Sequence, residues 1–274
     1  MVRLRHAYLN LDWGTSALLL GQTWHPLYGD VAPQILNLNM GAPFQPFSRA
    51  PQIRYRYKTG DIQITGAALW QSQYLSQGPE GKSQKYIKNS CVPEIYAGID
   101  YKHKGLLIGA GIEMVSLTPR TQATVEDKIY KVSERITSLS YEVHMKYNSE
   151  KWLVAAKSVL GSNLTQTSML GGYGIKSIDP HTGEQEYSPN RNSSSWINIV
   201  YGKTWKPAIF FGYMKNLGTS DAVTKYVWNG NKRRPTAQRN SRTDLQCSSL
   251  EIRSRIQSDF CMVWFSEPLQ WKSG

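Results

Sequence analysis

The sequence has no run of about 18 apolar residues, so no membrane-spanning helix is expected. Its opening, "MVRLRHAYLNLDW", lacks both the apolar core and the small-residue cleavage site of a signal peptide. The expectation is a cytosolic protein, or a chain whose natural start lies upstream of Met1. Three cysteines, Cys91, Cys247 and Cys261, give no disulfide framework and no metal-ligand spacing. His6, His25, His103, His144 and His181 are scattered, so no metal site is expected.

Catalytic and cofactor signatures are missing too. "GAGIEM" (109–114) contains a GxG, but it lies in an alternating stretch with no helix after it and reads as packing glycine. There is no GxSxG and no paired-carboxylate pattern, so no catalytic residue and no cofactor are assigned, and the chain is read as a non-enzyme. An outer-membrane hydrolase stays open as one alternative, because its residues would sit at loop ends where spacing hides them.

Phenylalanine is scarce, with 6 against 16 Tyr and 9 Trp, so rings with a polar edge dominate and favour an interface over a dry core. The net charge of +12 is not gathered on one helix of the body, which argues against a nucleic-acid partner. Residues 1–230 hold 24 Lys/Arg and 16 Asp/Glu, and residues 231–274 hold 8 and 4, so the tail is the more basic part.

What the sequence does have is alternation. Period-2 runs bounded by Gly, Asn, Asp and Pro predict ten strands, at 3–12, 15–23, 52–58, 61–71, 94–102, 105–117, 134–147, 151–162, 194–203 and 206–216. The joints between them alternate strictly. "WGT", "TG", "KHK", "NSEK" and "KTW" are tight, whereas 24–51, 72–93, 118–133 and 163–193 are long. An up-and-down meander then carries all its tight turns at one end and all its long loops at the other, as outer-membrane barrels do and Greek-key sandwiches do not.

Each strand pairs an apolar face with a charged one. In 138–147, Leu139, Tyr141, Val143, Met145 and Tyr147 oppose Ser138, Ser140, Glu142, His144 and Lys146. In 53–58, Ile53, Tyr55 and Tyr57 oppose Arg54, Arg56 and Lys58. Ten or more strands enclose a wide lumen, and a dry core of unpaired charges would cost several kcal/mol each. The charged face therefore turns to water inside and the apolar face to lipid outside. Arg49, Arg54, Arg56, Lys58, Glu142, His144 and Lys146 become the candidate pore-lining residues. The plain alternative for the Arg54/Arg56/Lys58 ladder is a solvated strand face. Tyr55, Tyr57, Trp70, Tyr101, Tyr147, Trp152, Trp196 and Trp205 lie near strand ends, where a lipid-boundary girdle places its rings.

Several stretches, "LLLGQTWHPLYGD" (18–30), "GAPFQPFSRAPQIRYRY" (41–57), "GAALWQSQY" (66–74), "PEIYAGIDY" (93–101) and "INIVYGKTWKPAIFFGYMKNLGT" (197–219), resemble the DcaP-like porins of gram-negative outer membranes over about residues 5–220. The resemblance implies a 16-stranded, homotrimeric, antiparallel transmembrane β-barrel. Such a barrel passes small, often anionic, solutes through a constriction made by an inward-folded loop. Segment 24–51 is the candidate loop, with Phe44, Pro46 and Phe47 placed to wedge against the wall.

Ten strands of sixteen imply an incomplete barrel, whose open edges and apolar face are expected to aggregate. Residues 231–274 lose the alternation and lack an aromatic-ended last strand; a change of reading frame near residue 230 is the expectation, with a disordered basic extension as the alternative. The reading is thus a partial all-β barrel of about 10–12 strands, porin-like, with lipid and transiting solutes as partners. A soluble β-rich carbohydrate- or nucleic-acid-binding protein is the alternative.

Overall fold

The computed structural model describes residues 4–34, 41–203 and 206–227, and the backbone of Trp228 and Phe260–Phe265. The chain is all-β. Its wall is an antiparallel meander of β1 (Ala7–Asp12), β2 (Ser16–Trp24), β3 (Arg49–Thr59), β4 (Ile62–Leu69), β7 (Glu94–His103), β8 (Leu106–Leu117), β11 (Ile136–Asn148), β12 (Trp152–Ser162), β14 (Gln185–Tyr201) and β15 (Ala208–Thr219). The last of these pairs with β17 (Phe260–Phe265). With β13 (Gly172–Ile178) and β16 (Lys225–Trp228) the sheet has 13 strands among the described residues, which do not close it into a barrel.

All ten expected strands are present, within a few residues of their expected bounds except at the start of β1 and β14. The tight turn between β7 and β8 has a clear local cause: Lys104 and Gly105 both take positive φ (44° and 81°), the geometry that matches the twist of two antiparallel strands.

The long joints hold more structure than expected. Segment 72–93 contains the two-residue strands β5 (Gln77–Gly78) and β6 (Gly81–Lys82) and the helix α1 (Lys85–Ser90). Segment 118–133 folds as a hairpin of β9 (Gln122–Val125) and β10 (Lys128–Lys131). Segment 163–193, expected as loop, supplies β13 and the first part of β14. Pro189 and a run of Asn and Ser hide that pairing from a periodicity reading; Pro189 sits opposite Tyr173 in the ladder. Residues 231–259 and 266–274 of the expected tail lie outside the described residues.

The polarity of the sheet is inverted relative to a water-soluble core. Ile53, Ile64, Ile99, Val143 and Leu160 are 45–59% exposed on one face, whereas Gln63, Thr65, Glu113, Ser140, Glu142, Lys157 and Asn198 on the other are buried. What covers them is chain, together with apolar side chains of this face and of the covering segment such as Val31, Phe44, Trp196 and Phe210. Residues 25–34 and 41–48 fold back across the polar face.

Candidate functional site

The segment joining β2 to β3 is pinned to the wall at points spread across the sheet. His25 N–H donates to the Ser48 carbonyl at 3.0 Å and closes the base of the loop. Lys157 on β12 donates to the carbonyls of Leu27 and Tyr28 at 2.7 and 3.0 Å. Gln34 N–H reaches Asn198 Oδ1 at 2.8 Å, and Ser194 Oγ donates to the Phe44 carbonyl at 2.9 Å. Gln45 braces the loop internally through Tyr28 and Val31, and accepts from Trp196 Nε1 at 2.8 Å. Phe44 packs 5.8 Å from Phe210, beside Trp196 and Met214. Pro46 is buried, and Phe47 sits edge-on to Trp24 and Tyr74 at 5.2 and 5.7 Å.

These contacts explain the position of Trp196. The pairing of Trp196 with Lys157 and Gly212 puts its ring on the inner face, 3% exposed, so it does not belong to an outer girdle. Its parity in "SSSWINIV" matches Ser194 and Asn198, and that was the available signal. Trp205 lies outside the described residues. Tyr55, Tyr57, Tyr101, Tyr147 and Trp152 are exposed, whereas Trp70 is half-buried against the cluster of Tyr86, Ile87 and Leu117.

The basic ladder runs along the inner side of β3. Arg54 lies opposite Leu19 and Ala67, and Arg56 opposite Ala17 and Thr65, so Arg56 has small neighbours on both sides and Arg54 on one. Arg54 donates to Gln52 Oε1 at 2.9 Å and to the Trp24 carbonyl. Lys58, past the loop, is exposed, and Lys146 is half-buried. Arg49 stacks over Trp24, 4.2 Å from the ring centroid. Arg54 and Arg56 share a small polar cavity under the loop with Asp30, Tyr96, Asp100 and His144.

Asp30, at the loop's exposed edge, is held below the usual carboxylate range: burial would raise it, but the Lys102 ammonium at 3.0 Å, with Arg56 and Arg54 beyond, outweighs that.

Glu142 and His144 are buried on the inner face beneath the loop. Glu142 pairs with Lys157 at 3.0 Å and accepts from Tyr96 Oη at 2.8 Å, while His144 meets Asp100 at 2.9 Å. A second covered cluster joins His25 to Glu94 and Glu113 at 3.2 and 3.3 Å. Burial disfavours charge on His25, but Glu113 and Glu94 outweigh it and raise its pKa to about 9. The Leu27 amide works against that, because it donates to Nδ1 at 3.2 Å and needs that nitrogen unprotonated. Sequence spacing misses both clusters, since strand register and loop docking create them.

No family model matches this sequence, and no curated protein matches it. Among solved structures, the fold is similar to the crystal structure of the outer membrane channel DcaP of Acinetobacter baumannii, with a TM-score of 0.54 and 18% sequence identity. The similarity covers 79% of this chain and 57% of that one, so this chain spans little more than half of the channel's length, and what the two share is the fold of a β-barrel porin wall.

Proposed function

We propose that the chain forms part of the wall of a porin-like channel in a gram-negative outer membrane, which lets small hydrophilic solutes diffuse passively. Residues 25–34 and 41–48 narrow the lumen, and Arg54 and Arg56 bias it toward anions. The intact channel assembles as a homotrimer. No reaction and no cofactor enter this reading.

The observation that carries it is the inverted polarity: β-branched and aromatic side chains are exposed along every central strand, while carboxylates, amides and a lysine are covered. A soluble binding protein would turn that apolar face inward, at a gain of about 25 cal/mol for each Å² removed from water. The likeness in fold to an outer membrane channel points the same way.

The test is solute flux through vesicles reconstituted with the chain. Entry of small anions faster than cations, with the preference lost in Arg54→Glu/Arg56→Glu, supports the reading. A chain that folds in buffer without detergent and leaves vesicles sealed contradicts it.

A further inference from the structure

His25, Glu94 and Glu113 converge on one point under the base of the loop. Glu94 and Glu113 are diagonal neighbours on the inner face of β7 and β8, where Tyr96 pairs with Glu113. His25 is the first residue after β2. Its Nε2 lies 3.2 Å from Glu94 Oε2 and 3.3 Å from Glu113 Oε1, and all three side chains are at most 1% exposed.

Three features of this cluster call for something more than hydrogen bonds. First, the Leu27 amide donates to His25 Nδ1, and a backbone N–H has no accepting form, so Nε2 is the nitrogen turned to the carboxylates. A single N–H there cannot serve two carboxylates well. Second, Glu113 Oε2 is buried with no hydrogen-bond partner, a costly state for a carboxylate oxygen. Third, two buried carboxylates this close carry a charge of −2 when ionised, which a single imidazolium only half offsets and a divalent cation offsets in full.

We propose that His25 Nε2, Glu94 and Glu113 form a binding site for a divalent transition-metal cation, with zinc the best fit. The ligand atoms all lie within 4.8 Å of one another. The two spacings at His25, 3.2 and 3.3 Å, lie at the short end of the roughly 3.3–3.6 Å edges of a tetrahedron with metal–ligand bonds of about 2.0–2.2 Å. One neutral imidazole and two carboxylates neutralise the cation, and a fourth position remains for water. Ligand orientation is already fixed: Leu27 N–H holds the ring, Gln71 Nε2 donates to Glu94 Oε1, and Gln166 Nε2 donates to Glu113 Oε1 at 3.3 Å. The cation ties the start of the loop to two wall strands and so locks the loop against the wall. The site stands whether or not the wall conducts solutes.

Cobalt(II) titration of the full chain, folded in detergent and freed of metal by chelation, tests the site. The expected result is one equivalent bound with the visible bands of tetrahedral cobalt, displaced by zinc, and without the near-ultraviolet band that cysteine thiolate would add. Glu113→Gln removes a ligand and weakens binding by more than about 100-fold, whereas Gln71→Ala, which removes only a supporting bond, costs about 10- to 100-fold. Folded wild-type protein that shows only octahedral cobalt, or affinity unchanged in both Glu113→Gln and His25→Ala, overturns the proposal. Because flux is not measured, failure here leaves the channel reading intact.

Discussion

Lys157 and Glu142 meet at 3.0 Å on adjacent strands with neither side chain reached by solvent, and the same ammonium holds two carbonyls of the loop. One buried cation therefore neutralises the wall and anchors the segment that covers it.

Replacing Lys157 by Met leaves Glu142 buried without its cation and frees the carbonyls of Leu27 and Tyr28. Breaking such a pair from one side costs about 3–5 kcal/mol. The expected outcome is faster protease cleavage within 25–48 of the detergent-folded chain. Lys203→Met, which breaks only the exposed pair with Glu150, is expected to cost about 0–1 kcal/mol and leave cleavage unchanged.

Gly111 is a floor for Tyr96. A Cβ there would stand 2.4 Å from Tyr96 Oη and 2.8 Å from its Cζ, so Gly111→Ala must displace the ring and its bond to Glu142. Overpacking of this kind costs about 1–3 kcal/mol. Gly66→Ala on β4, where a Cβ meets nothing within 4 Å, is the matched control and is expected to be neutral in denaturant unfolding.

How much of this was legible in sequence depends on the kind of contact. Alternation in "SLSYEVHMKY" and "IRYRYK" gave the strands, their faces and the reading of "GAGIEM" as packing glycine, because period 2 is a local property. The inward docking of Phe44 and Gln45 on Trp196 is a contact between residues about 150 apart, and its only local trace is the parity of Trp196. Arg54, Arg56 and His144 border the cavity under the loop, whereas Glu142 lies buried against Lys157, a partner that spacing does not supply. The β13–β14 pairing leaves little local trace, because the first part of β14, "QEYSPNRNSSS", carries Pro, Asn and Ser in place of apolar residues and its partner β13 is only 7 residues long.

Acid is expected to loosen the exposed edge of the loop. The pKa of Asp30 is lowered in the folded chain, so its pairing with Lys102 contributes above the ordinary carboxylate value and is lost as pH falls through the lowered one. Arg54 and Arg56 then lose their nearest loop carboxylate. Hydrogen exchange of residues 26–34 should accelerate toward low pH in wild type, and the acceleration should be smaller in Asp30→Asn. An equal response in both would assign the effect to another group.

Arginine on the outer face should be penalised by depth. Val143, 57% exposed in mid-strand, is expected to cost about 2–4 kcal/mol when changed to Arg, and Tyr147 near the strand end about 0–1 kcal/mol, in folding from denaturant into bilayers. Equal, small costs at both positions would mean that water, not lipid, covers this face.

The most direct test of the account is nitroxide scanning of β11 in bilayers, in a chain whose three cysteines are replaced by serine. Labels at 139, 141 and 143 should be relaxed strongly by oxygen, which concentrates in lipid, and weakly by a water-soluble nickel complex, with labels at 138 and 140 shielded from oxygen. Nickel access dominating at 139, 141 and 143 would contradict the assignment of the apolar face to lipid, and the channel reading with it.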